Sequence, residues 1–223
     1  MSSPAPAISS DRMLGNLALL NALIVLALLA SALIAGISQE PFQIARLADL
    51  NVARLLQNPT GLRINVGIDN LFIVAYCAFF ALFAARLKPV LDPLPLGLAF
   101  GAILLTALLD AIENHHILVM LFSAEQNLPI TVGETQIQMI ASSVKFHANY
   151  VASALFAFGF YRLGGLGKPI ALLLWFAYLP LGLAIFALPA EFARPLVIAR
   201  TLFFITVFAM IALVFWRAAS RGD

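Results

Sequence analysis

The string Leu109-Asp110-Ala111-Ile112-Glu113-Asn114-His115-His116 sets two carboxylates, an amide and two imidazoles into a stretch otherwise made of leucine, isoleucine and alanine. At about 100° per residue, Asp110, Glu113 and Asn114 share one helix face, His116 lies about 60° from Glu113, and His115 points well away from Asp110. Glu113-x-x-His116 has the i, i+3 spacing by which a carboxylate and an imidazole bind one metal ion from a bundle helix. His147, with Asp69 or Asp110, would complete a set of three or four ligands, and that donor chemistry suits zinc or non-haem iron. Without a metal, Asp110, Glu113, Asp69 and His147 are candidates for general acid and base. Two plainer readings stand beside these. His115 and His116 could end a helix, where the dipole favours a cation, and Asp69 could sit in a first turn, where it favours an anion.

Further polar groups fall in other apolar runs. Ser142, Lys145 and Asn149 form one stripe of a helix, and Ser143, His147 and Tyr150 form another, centred about 130° away. One stripe is expected to face the acids, and the other a neighbouring helix or a second subunit. If Lys145 faces the acids, the cluster becomes an ion-pair network, and its charge opposes a metal ion. The planar fork of Arg200 suits a phosphate or carboxylate headgroup, although a snorkelling arginine would give the same pattern. Lys145, Asn149, Tyr150, Arg200 and Asn114 are therefore the candidate substrate-binding residues.

The elements that must position these groups are membrane spans. Of the 223 residues, 62% are hydrophobic and 11% charged, against about 25% charged in soluble domains. A span needs about 20 apolar residues, and six runs supply that: Leu14–Ile37, Ile64–Leu87, Leu94–Phe122, Gln138–Leu163, Pro169–Leu188 and Leu196–Trp216. The reading is an all-α polytopic transmembrane bundle of about six spans, over residues 14–217. Residues 1–13 are expected to be a disordered cytoplasmic N-terminus, and 218–223 a cytoplasmic tail. Turn chemistry separates the spans at Lys88–Pro93, Gly164–Gly167 and Pro189–Pro195. Residues 41–57 read either as an amphipathic segment on the membrane surface or as a solvated loop. Gly97-x-x-x-Gly101 is expected to permit close packing within the bundle.

With both termini cytoplasmic, seven basic residues lie inside (Arg12, Arg86, Lys88, Arg162, Lys168, Arg217, Arg221) against four outside (Arg46, Arg54, Arg63, Arg194). That bias follows the positive-inside rule and points to the cell (inner) membrane. In this topology Asp69 lies roughly 9 Å, Glu113 roughly 27 Å and His147 roughly 13 Å along their spans, all in the outer half of the membrane. The inner half is almost wholly apolar. Intramembrane ionisable groups are costly and tend to mark function.

The expected partners are membrane lipids and a hydrophobic or lipid-like small molecule. The scattered basic residues give no nucleic-acid patch, and a homo-oligomer fits the unassigned stripe. The expected function is a membrane enzyme acting on a lipid-like substrate at the outer leaflet, by acid–base or metal-assisted chemistry. The alternatives are a small proton- or ion-coupled transporter and a non-catalytic subunit or assembly factor. The lone Cys77 allows no internal disulfide, and no phosphate-binding loop, dinucleotide fingerprint or His-Glu-x-x-His occurs.

Overall fold

A computed structural model of the protein describes residues 10–43 and 52–222, and every regular element among them is a helix. The long helices are α1 (Ser10–Ala35), α4 (Pro59–Leu87), α5 (Pro93–Glu125), α6 (Val132–Leu163) and α9 (Ala190–Gly222). Two single turns, α2 (Glu40–Gln43) and α3 (Val52–Leu55), lie between α1 and α4. The remaining span is composite. α7 (Gly167–Leu173) runs through a wider π-turn at Leu174–Tyr178 into α8 (Leu179–Ala187).

Local chemistry sets these boundaries. The Asn58 side chain accepts the Gly61 N–H at the start of α4, ahead of Pro59 at the first helical position. The Thr131 hydroxyl caps α6 by accepting the Glu134 N–H. Gly164 and Gly165 take positive φ after α6, as a tight reversal there requires. The π-turn precedes Pro180, which has no N–H to continue the ordinary ladder. The expected break at Pro189–Pro195 is shorter than its prolines implied. α9 begins at Ala190 and carries Pro195 near its start, where few backbone bonds are lost.

Five helices are long and apolar enough to cross a membrane: α1, α4, α5, the α7–α8 composite and α9. Their outward faces are greasy, with Leu33, Ile34, Val74, Leu94 and Phe176 among the most exposed side chains. This is the organisation of a multi-pass integral membrane protein, in which lipid takes the place of water. α6 is one residue shorter than α5 but more polar, and is not among the five.

The chief pairings are α1 with α4, α4 with α5, α5 with α6, α6 with α7, α8 with α9, and α9 with α1. They close a ring in which the first and last long helices are neighbours. Arg86 Nε donates to Asp11 at 2.7 Å, and Trp216 Nε1 donates to Asn16 at 3.0 Å. Those bonds bring the start of α1 and the ends of α4 and α9 to the same end of the ring. Gly15 permits the contact of α1 with α9, since a Cβ there would lie 2.5 Å from the Trp216 ring. Gly97 and Gly101 do not do the packing expected of them. Both face outward with open space around them, and close approaches fall at Gly15, Gly159 and Gly182 instead.

Two apolar clusters divide the interior. The larger contains Phe79, Phe83, Phe156, Phe160, Phe208 and Phe215 and occupies the end where the termini meet. The smaller, with Phe42, Leu55, Leu62, Val66, Ile117 and Leu121, fills the opposite end beneath α2 and α3. The surface segment expected over 41–57 falls partly on residues 44–51, outside the described residues. Its described first turn is not solvated, because Phe42 and Gln43 are buried and α2 packs on α6. Of residues 1–13, those from Ser10 onward already belong to α1, and the rest lie outside the described residues.

Candidate functional site

Between the two apolar clusters lies a layer of buried polar side chains. α4 contributes Asp69 and Tyr76, α5 contributes Asp110, Glu113 and Asn114, α6 contributes Gln138, Ser142 and Lys145, and α9 contributes Arg200. Glu113 is fully buried, while Lys145 and Arg200 are 4% and 3% exposed. Charged groups this deep need partners, since an unpaired one carries the full cost of desolvation.

Lys145 Nζ pairs with Asp110 and lies 2.8 Å from Glu113 Oε2. The same Glu113 oxygen accepts Ser142 Oγ at 2.5 Å, and its other oxygen accepts Gln43 Nε2 at 2.9 Å. Glu113 is thus saturated on both sides. The far end of the Gln43 amide accepts from Arg200 Nη2 at 3.4 Å. One glutamine therefore presents its NH₂ to an anion and its oxygen to a cation. Asp110 also accepts the Tyr76 hydroxyl at 3.4 Å. Asp69 accepts Asn114 Nδ2 at 2.8 Å, and that nitrogen also reaches Asn70 Oδ1 at 3.0 Å. Gln138 Nε2 donates to the Phe42 carbonyl at 3.1 Å, which ties α2 down onto α6.

A cavity of about 170 Å³ opens from this layer toward the phenylalanine-rich end. Its polar side is formed by Asp69, Asp110, Lys145, Gln43, Asn149 and Arg200. Its apolar limb is formed by Phe72, Phe80, Phe156, Phe160, Phe208 and Ile211, among others. All six elements of the ring contribute to its lining. Glu113 does not line it but stands behind Lys145 and fixes the ammonium from the rear.

The expected site residues thus separate. Asp69, Asp110, Asn114, Lys145 and Arg200 come together in one layer, with Asn149 at the cavity and Glu113 behind it. Tyr150 is buried on the neighbouring side, its ring against Tyr178 and its hydroxyl against Gly182. Tyr178 in turn donates its hydroxyl to Asn149. Of the two stripes of α6, Ser142, Lys145 and Asn149 face the layer, while in the other Tyr150 meets the π-turn and His147 is exposed.

The three expected metal ligands are not brought together. Glu113 is held by Gln43, Ser142 and Lys145. His116 pairs with Glu134 at the start of α6. His147 is exposed, bonded to the Ser143 carbonyl at 2.7 Å and placed against Phe186. Among the described residues no three His, Cys, Asp or Glu side chains are placed to share a metal ion. The ammonium of Lys145 occupies the position beside Asp110 and Glu113 that a metal would take, so these donors fit an ion-pair network better than zinc or iron.

Sequence reasoning missed Gln39, Gln43, Gln138 and Tyr76. The signal for the glutamines is weak. Gln39-Glu40-Pro41-Phe42-Gln43 looks like any polar exit from a span until Phe42 is seen buried.

The fold and site define a class: an all-helical, multi-pass membrane protein whose ring of helices encloses a cavity with one charged end. Compared with known proteins, the chain matches no family model, no curated protein and no solved structure.

Proposed function

We propose that this protein is a membrane enzyme that takes an amphiphilic, lipid-like molecule into the cavity and performs metal-free acid–base chemistry on its polar end. One observation carries the reading: two carboxylates, Asp69 and Asp110, share a single buried cavity with a limb of phenylalanines. Small-molecule sites are mostly apolar with a few placed polar groups, and this cavity has that character. Asp69 takes hydrogen bonds from the neutral amides of Asn114 and Gln39 and, among the described residues, no ion pair, which makes it the better placed of the two to exchange a proton with a ligand. Asp110, held by Lys145 and Tyr76, would stabilise charge that develops nearby. Glu113 and Ser142 position Lys145. His147 and His116 have no role in this scheme.

In this reading α6 is the sixth span. Its length of 32 residues and its packing between α5 and α7 support that assignment, as does the inward turn of Gln138, Ser142 and Lys145, away from lipid. Both termini are then cytoplasmic, by the excess of basic residues at their end, and the charged layer lies in the outer half of the membrane.

The test is untargeted mass spectrometry of a membrane lipid extract incubated with the purified protein. The wild type is expected to deplete one amphiphile and generate a product. Asp69→Asn should retain the bound amphiphile without converting it. Ser153→Trp, which fills the apolar limb, should neither bind nor convert. A wild type that binds amphiphiles yet converts none would sink the catalytic part of the proposal.

A further inference from the structure

Arg200 stands apart from the rest of the charged layer. Lys145 has two carboxylates, whereas among the described residues Arg200 has none within ion-pair distance. Its Nη2 reaches only the neutral amide oxygen of Gln43, at 3.4 Å. Its Nη1 is buried with no hydrogen-bond partner. The guanidinium carbon sits over the Phe146 ring, 3.8 Å from its centroid, which restrains its position. One turn further along α6, the buried Tyr150 hydroxyl lies beside the same guanidinium but makes no well-formed hydrogen bond. A buried guanidinium that lines a cavity with no carboxylate partner among the described residues is costly in an empty site. Its fork matches the paired oxygens of a carboxylate or phosphate.

The cavity sets a second condition. Its volume of about 170 Å³ is close to the roughly 150 Å³ of an engineered apolar cavity that accommodates one benzene. It has room for one apolar chain or ring, not for the paired chains of a bilayer lipid.

Resting on the reading that the cavity takes an amphiphile, we infer that Arg200 is the binding site for an anionic head, a carboxylate or phosphate, borne by a single-chain amphiphile. The head spans from Arg200 toward Gln43. The chain descends between Phe80, Phe156 and Phe208. Asp69 and Asp110, across the polar side from Arg200, then meet the atoms next to the head and not the head itself, which like charge would repel. The class of ligand is an acidic, single-tailed lipid with a hydroxyl, double bond or other proton-exchanging group close to its head.

The experiment is equilibrium binding to the full chain in nanodiscs of neutral diacyl lipid. The probes are decanoate, decyl phosphate, decanol and inorganic phosphate. The wild type is expected to bind decanoate or decyl phosphate about ten- to hundredfold more tightly than decanol, the weight of a charge-assisted hydrogen bond. In Arg200→Gln that preference should vanish while decanol binding is unchanged, and Arg200→Lys should keep part of it. Equal binding of decanol and the acids by the wild type would overturn the inference and leave the amphiphile reading intact. This comparison of heads needs no variant, so a misfolded Arg200→Gln does not blunt it. Inorganic phosphate binding as tightly as decyl phosphate would assign a free anion and overturn the tail. Binding of none of the three decyl probes would overturn the amphiphile reading itself.

Discussion

At the scale of single residues, the charged layer is held by the geometry around Lys145. Replacing it with methionine keeps the volume but leaves Asp110 and Glu113 buried together without a cation. Lys145→Met should cost about 3–5 kcal/mol, the usual penalty for removing one partner of a buried pair. Lys145→Met combined with Glu113→Gln should recover a substantial part of that loss, and equilibrium unfolding in mixed micelles would measure the coupling. His147→Ala, by contrast, alters an exposed side chain and should leave stability within about 0.5 kcal/mol and the metal content of the purified protein unchanged. That pairing of outcomes separates the two roles a sequence reader would give these residues. Helical periodicity alone put Asp110, Glu113 and Asn114 on one face, and that much of the site was legible. The partners of His116 and His147 were not. An imidazole in an apolar run looks the same whether it meets a carboxylate across the bundle, as His116 meets Glu134, or turns outward, as His147 does.

At the scale of elements, glycines offer the sharper test. Gly182 lies against Tyr150, and a Cβ there would fall 2.3 Å from the Tyr150 ring. Gly182→Ala should therefore cost about 1–3 kcal/mol, as overpacking does, and should disturb the contact of Tyr150 with Tyr178. Gly97→Ala and Gly101→Ala point into open space and should leave the thermal unfolding midpoint unchanged. Five of the six expected spans fall on helices long and apolar enough to cross a membrane, and these were readable from hydropathy because lipid enforces a minimum apolar length. The inward turn of α2 was not, because Phe42 and Gln43 take their meaning from Gln138 and Glu113, 96 and 70 residues away. The failure of Gly97-x-x-x-Gly101 as a packing motif has the same origin. Small residues permit close approach, but which helix arrives is decided by the whole ring.

At the scale of the molecule, the ring places the described ends of the chain at one pole. Reporter fusions at the N- and C-termini should therefore be active in the same compartment, which the topology proposed above makes the cytoplasm. Opposite compartments would contradict the pairing of α1 with α9. The overall architecture, a bundle of apolar helices with a polar layer toward one end, follows from composition and the depth of the ionisable residues. The cavity does not, since enclosed volume arises from how helices from both halves of the chain pack.

The closure of the ring by its first and last helices has a consequence for how the protein is made. During synthesis α1 enters the membrane before its partner α9 exists, so one flank of the cavity stays open to the bilayer until α9 inserts. Arg200 arrives with that final helix. The chain without α9 already holds Asp110 and Lys145 but not the guanidinium, and insertion of α9 both closes the ring and adds the cavity's second cation. A chain that stops short of α9 would present the charged layer directly to lipid, where membrane quality control can recognise it. Closure of the ring and completion of the site are therefore a single event.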